Sequence, residues 1–205
     1  GDLALQSEFD DVGRPVARRS WDSAGRLELD ETYVDGLLNS RVSYYPTGKI
    51  REEANRSRDG VSIRRLQPDG AVEAEGVIRG EVRVGEWTEW DGSATEIASY
   101  NDGLKSGRAS RTYLDGSKET GDYLSGKREG RWTRKDDHDS PMVEAGYVAG
   151  ELDGRYLQFY PTGQLKKELT YKAAKKHGMA RYYWPSGDTE REGAYECDLE
   201  NGPWT

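Results

Sequence analysis

A few positions hold residue types that could do chemistry. Asp136-Asp137-His138-Asp139 gathers three carboxylates and an imidazole, donors that suit a divalent cation. The run lacks the alternating acidic spacing and the glycine of a calcium loop, so a solvated loop is expected and no metal is assigned. His177 stands before Gly178 with no Cys or Ser partner in sequence, which points to a turn histidine rather than a catalytic base. Cys197 is the single cysteine, so it forms no intrachain disulfide, and a nucleophilic role would need a cationic neighbour. Gly121 to Lys127 has the outline of a phosphate-binding loop. Arg128, however, stands where Ser or Thr must hold Mg²⁺, and a strand rather than a helix is expected to follow. There is no Gly-x-Ser-x-Gly elbow and no His-Glu-x-x-His. Among 38 acids nothing selects a glycosidase pair. The expectation is a chain that is not an enzyme, with no catalytic residue, no cofactor and no metal.

What remains is binding. Thirty Lys and Arg against 38 Asp and Glu give a net charge of −8 and a pI near 5.0. That balance argues against nucleic acid and against electrostatic attachment to anionic lipid. It favours a protein partner with a basic surface, which Asp136, Asp137 and Asp139 would meet. Tyr and Trp are common hot-spot residues. Trp90, Phe159, Tyr182 and Trp184 sit less regularly than the other aromatics and are the expected contacts beside the three acids. No apolar run approaches the roughly 20 residues of a membrane-spanning helix.

The elements that would carry these residues follow from a repeat. Leu, Ile, Val and Phe supply 32 of 205 residues, a fraction low enough to suggest disorder, yet the chain holds 21 aromatics and 25 glycines. Tyr100, Tyr123, Tyr147, Tyr171 and Tyr195 are spaced by 23, 24, 24 and 24 residues, and Val77 fills the preceding slot. Gly107, Gly130, Gly154, Gly178 and Gly202 keep the same step. A third series marks turns at Pro46-Thr47-Gly48, Pro68-Asp69-Gly70, Asp91-Gly92, Asp115-Gly116, Pro161-Thr162-Gly163 and Pro185-Ser186-Gly187. Pro presets φ and Gly supplies φ > 0, so these are hairpin turns. Between them, apolar and polar residues alternate, as in Leu165, Leu169 and Tyr171 against Lys166 and Glu168. Period two means a strand with one buried face. Stacked hairpins bury one another's aromatic faces, so stability comes from neighbours.

The phrase Tyr-x-x-Gly-x-x-x-Gly-x-Trp/Tyr-x-x-x-Tyr-Pro-x-Gly resembles the variant MORN repeats of bacterial proteins, an arrangement known as the YwqK-type antitoxin repeat. Its best copies run from Tyr147 to Gly163 and from Tyr171 to Gly187, and Tyr123 to Trp132 matches the first half. The chain departs from the pattern at 54–63, which lacks the Tyr and part of a turn. It departs again at 134–141, where the Pro-x-Gly hairpin is replaced, and at 172–176, where the turn Gly is missing. The resemblance implies an all-β fold: an elongated antiparallel sheet or open solenoid of about eight stacked β-hairpin repeats of 23–24 residues. Residues 1–20 would be an N-terminal extension and 21–205 a single repeat domain.

The resemblance also implies protein binding: neutralisation of a cognate toxin or secreted effector, as an immunity protein or antitoxin. The alternative is a MORN-type envelope or membrane-associated scaffold, for which the basic pairs such as Arg64-Arg65 are only local; an uncharacterised hydrolase is the lesser alternative. The chain opens at Gly1 without an initiator methionine, which leans toward an exported, periplasmic protein rather than a cytoplasmic one.

Overall fold

A computed structural model of the chain describes residues 4–205. It is all-β, with 18 strands and no helix among the described residues. Contacts divide the chain into two units, 1–91 with 100–103 and 92–99 with 104–205. The first unit contains β1 (Ala4–Phe9), β2 (Pro15–Trp21), β3 (Leu27–Val34), β4 (Leu37–Tyr44), β5 (Ile50–Ser57), β6 (Gly60–Leu66), β7 (Val72–Arg79) and β8 (Val82–Trp90). Each pairs antiparallel with the next. Strand β9 (Ala94–Asn101) crosses the division between units. The second unit continues through β10 (Leu104–Tyr113), β11 (Lys118–Leu124), β12 (Lys127–Lys135), β13 (Pro141–Val148), β14 (Glu151–Phe159), β15 (Leu165–Lys172), β16 (Lys175–Tyr183), β17 (Thr189–Glu196) and β18 (Leu199–Asn201). From β10 onward these again pair in sequence order.

The antiparallel hairpin repeat expected from the spacing is therefore present. Of the expected N-terminal extension, residues 1–3 lie outside the described part, and 4–20 form β1 and most of β2, paired with each other and with β3.

From the β2–β3 turn onward, two kinds of turn alternate. At the first, the chain reverses over three residues: Gly163 N–H donates to Tyr160 O at 2.8 Å and Tyr160 N–H to Gln164 O at 2.8 Å. The glycine sits at φ 83°, closing a type I turn with a bulge. The 134–141 segment keeps this turn, contrary to expectation. Asp139, at φ 67°, stands in the glycine position, and its N–H reaches Asp136 O at 3.1 Å. Asp, like Asn, tolerates the left-handed region better than most residues, so the motif disappears from sequence while its geometry survives.

The second turn has two residues, and in six repeats both are at positive φ, as in Ser125-Gly126 and Ala149-Gly150. These are type I′ turns, whose twist matches that of the flanking strands. In the second unit the turns of successive repeats are tied together. Gly126 N–H donates to Lys105 O at 2.8 Å, Gly150 to Arg128 O at 2.9 Å, Ala174 to Leu152 O at 2.8 Å and Asp198 to Lys176 O at 3.0 Å.

The third glycine series makes bulges. Thr120 faces Thr133 and Asp122 faces Glu129, so Gly130, Arg131 and Trp132 together oppose Gly121 alone. The bulge brings the Trp132 indole onto Gly121, where a Cβ would collide with ring atoms Cδ2, Cε2 and Cγ. Gly76 beneath Trp87 and Gly193 beneath Trp204 repeat the arrangement. Trp87 and Trp132 are buried, and their Nε1 groups donate to Val77 O and Asp122 O, both at 3.1 Å.

Charged arms cover these rings. The Arg128 guanidinium lies 4.1 Å from the Trp132 ring centre while bonding both Glu119 carboxylate oxygens, at 2.9 and 2.7 Å. In the first unit Arg83 lies 4.4 Å over Trp87, with Glu89 at 2.5 Å. The guanidinium groups cover the ring faces while paired with carboxylates, which lets one sheet bury large aromatics with few aliphatic residues. Burial, with Glu96 accepting its hydroxyl at 2.9 Å, pushes the Tyr123 phenol up to about 12. Tyr100 is pushed to about 12 by burial and Glu89. The tyrosine slot before Tyr100 is filled by Ile78 rather than Val77: Ile78 faces Arg83 as Tyr123 faces Arg128. The shorter 22-residue spacing of the neighbouring turns moves the slot by one.

Candidate functional site

Acidity is uneven between the units. The first carries 13 Lys and Arg against 20 Asp and Glu, the second 17 against 18. The second unit is therefore close to neutral, and local arrangement rather than net charge distinguishes its surface. One arrangement stands out at the first-turn end of β12, β13 and β14. A groove of about 370 Å³ is lined by Pro141, Met142, Val143, Phe159 and Pro161, with Arg134 and Asp136 among its polar wall residues.

The local sequence explains the groove. β12 ends in the Asp136–Ser140 turn and β14 in the Tyr160–Gln164 turn. The registers shift at Arg134/Lys135 and at Gln158/Phe159. Arg134 is held by cation–aromatic contact with Tyr113 at 3.9 Å and by bonds to Ser117 Oγ at 3.0 and 2.8 Å. Tyr160 is fixed by its hydroxyl donating to Tyr183 O at 2.8 Å. Both walls are thus fixed before any ligand arrives, and a pre-organised site loses less entropy on binding.

The acidic turn beside the groove is ordered by its own carboxylate. Asp136 Oδ1 accepts the N–H groups of Ser140 at 2.8 Å and His138 at 2.9 Å. The Ser140 N–H, partly opposed by desolvation, holds this carboxyl below its ordinary value. Asp137 meets His138 Nδ1 at 2.7 Å, and Asp139 meets Lys135 Nζ at 2.8 Å, all largely exposed. Asp136, Asp137 and His138 bring one donor atom each within 4.8 Å of one another and are the residues that could hold a cation. Asp136, however, is already engaged as the cap of the turn.

The structure therefore brings together four of the residues expected to meet a partner: Asp136 and Phe159 line the groove, and Asp137 and Asp139 share the turn with Asp136. The others lie elsewhere. Tyr182 packs against the Leu169, Ala180 and Tyr195 cluster, 6.3 Å from Trp204, with Arg191 above its ring at 4.8 Å. Trp184 begins a different first turn and is half exposed. Trp90 ends β8, in the other unit. Sequence reasoning missed Met142, Val143 and Arg134; only the run Pro141-Met142-Val143 directly after the acidic turn could have signalled an apolar wall.

Residues 40–57 and 152–173 match the family model of the MORN repeat variant. Both segments run from one strand through a first turn into the next, β4 to β5 and β14 to β15. The match supports the MORN-repeat family and, with it, a repeat-based binding or scaffold protein of a typically non-catalytic kind. No curated protein matches the chain.

Proposed function

We propose that this chain binds a protein partner through the groove at Phe159 and the acidic turn at Asp136–Asp139, and that the partner is a toxin or secreted effector which the chain neutralises. The observation that carries the reading is the coincidence of an apolar hollow with three carboxylates on one rigid turn. Such a surface suits an apolar side chain flanked by Lys or Arg: the hollow supplies desolvation, and the rim charges supply steering and register.

The test is co-expression with the products of neighbouring genes, scored by rescue of growth and by co-purification. Phe159→Ala should weaken binding at least tenfold, mainly by faster dissociation. The pair Asp137→Asn and Asp139→Asn should slow association and flatten its salt dependence, because Asn keeps the left-handed geometry that position 139 needs. No rescue by any neighbouring product, or full affinity in Phe159→Ala, would defeat the proposal.

A further inference from the structure

The second unit contains a basic island. Between residues 166 and 181 there are five Lys and one Arg against a single acid, Glu168, in a chain of net charge −8. The island follows from the departure at 172–176, where Ala173 and Ala174 form a type I′ turn with φ of 47° and 63° between Lys172 and Lys175. The next two-residue turn is Cys197-Asp198, tied back by Asp198 N–H donating to Lys176 O at 3.0 Å. Between the two turns is a hollow of about 320 Å³, lined by Lys172, Ala173, Lys175, His177 and Cys197.

The lining contains no carboxylate. Three acids of the surrounding turns and strands already accept hydrogen bonds: Asp153 Oδ2 from Ala173 N–H at 3.1 Å, Asp198 Oδ1 from Lys176 N–H at 2.8 Å and Glu196 Oε2 from Asn201 Nδ2 at 3.1 Å. Lys176 is directed elsewhere, 4.8 Å over the Tyr195 ring. Among the described residues, the side chains of Lys172, Lys175 and His177 make no ion pair and no hydrogen bond. The contrast is with Arg131, Arg155 and Arg181, which pair with Glu144, Glu168 and Glu192 on neighbouring strands at 2.6, 2.8 and 2.7 Å. Two ammonium groups and an imidazole, which offers an N–H donor in either protonation state, thus surround one cavity without a protein acceptor.

We infer that this hollow is a binding site for small oxyanion-bearing molecules, with Lys172 and Lys175 as the charged arms, His177 as a further donor and Ala173 and Cys197 as the apolar wall. The inference is independent of the partner groove, because it uses a different end of the repeat and the opposite charge. A carboxylate and a phosphate group share the chemistry: negative oxygens that accept from ammonium and imidazole N–H.

Cys197 gives the measurement a reporter. It is exposed, on the wall of the hollow and the single thiol of the chain. Its reaction with an anionic disulfide, 5,5′-dithiobis(2-nitrobenzoate), is compared with its reaction with neutral iodoacetamide at low ionic strength. A short cysteine peptide serves as reference. The anionic-to-neutral rate ratio should exceed that of the peptide by about five-fold, from two unit charges acting through water. It should fall to the peptide value in the double variant Lys172→Gln, Lys175→Gln. Inorganic phosphate and citrate are then added separately, each against sodium chloride at matched ionic strength. Slowing by either oxyanion beyond the chloride control supports the site and identifies which group it prefers. A wild-type ratio equal to the peptide's, or protection no greater than chloride gives, overturns it. Circular dichroism of the double variant establishes that it is folded, and these surface substitutions are expected to preserve the spectrum.

Discussion

Replacing Gly121 by Ala should unseat Trp132, and the size of the effect follows from the packing. Trp132 is 1% exposed, and a Cβ on Gly121 would enter its ring. Burying a tryptophan removes about 200 Å² from water, worth about 5 kcal/mol at roughly 25 cal/mol/Å². Trp132→Ala should therefore cost about 4 kcal/mol, of which about 1 is the lost bond to Asp122 O. Gly121→Ala leaves the indole present without its seat, an overpacking cost of about 3 kcal/mol. The double variant places Ala at both positions, the combination already present one repeat earlier at Ala98 and Ala109, each 2% exposed. It should cost no more than Trp132→Ala alone, a coupling of about 3 kcal/mol in favour of the pair. Urea unfolding followed by circular dichroism gives the sums, and amide exchange in β11 to β13 locates the change, since repeat arrays need not unfold in one step. Simple additivity of the two single effects, or a Gly121→Ala protein as stable as the parent, would refute the argument.

Three further outcomes follow from the same geometry. Tyr123 has its phenol raised to about 12 from 10.0, so its contribution is complete below pH 10 and is lost as pH rises toward 12. Urea midpoints measured from pH 9 to 12 should fall, and Tyr123→Phe should flatten that fall, by about 1 kcal/mol once solvent screening is allowed for. Arg128→Met keeps the ring covered but takes the cation from Glu119, leaving it the Tyr113 hydroxyl at 3.0 Å, at a cost of about 2 kcal/mol, and adding Glu119→Gln should recover part of it in the same urea assay. Ala173→Asn with Ala174→Gly relieves two alanines from the left-handed region and should raise stability by about 1 kcal/mol; no gain would mean the turn is unstrained.

Much of the fold was legible because hairpin repeats are written in local residues. Gly126, Gly150 and Gly163 mark backbone that must take positive φ, and alternation as in β15 marks strands with one buried face. The Asp136–Ser140 turn was hidden, because Asp139 meets the φ requirement without being Gly or following a Pro-x pattern. The slot at Ile78 was displaced because spacing alone does not show which residue faces Arg83. Of the candidate site, the acids and Phe159 could be named from the sequence. Their meeting on one groove could not, since it depends on where two turns from successive repeats emerge side by side.

The sequence by itself determined the strand-and-turn order, the repeat step and the shortage of aliphatic residues. Each of these depends on conformational preferences of single residues or on a period of two. Tertiary structure alone decided that Arg128 shields Trp132, that Gly121 is a seat for an indole, and that Lys172, Lys175, His177 and Cys197 share one hollow. The first joins two residues of β12 across the bulge at Gly130 and the others join residues on different strands, so bulge and pairing register set which side chains face each other. Register is a property of two strands together, so no single strand's sequence carries it.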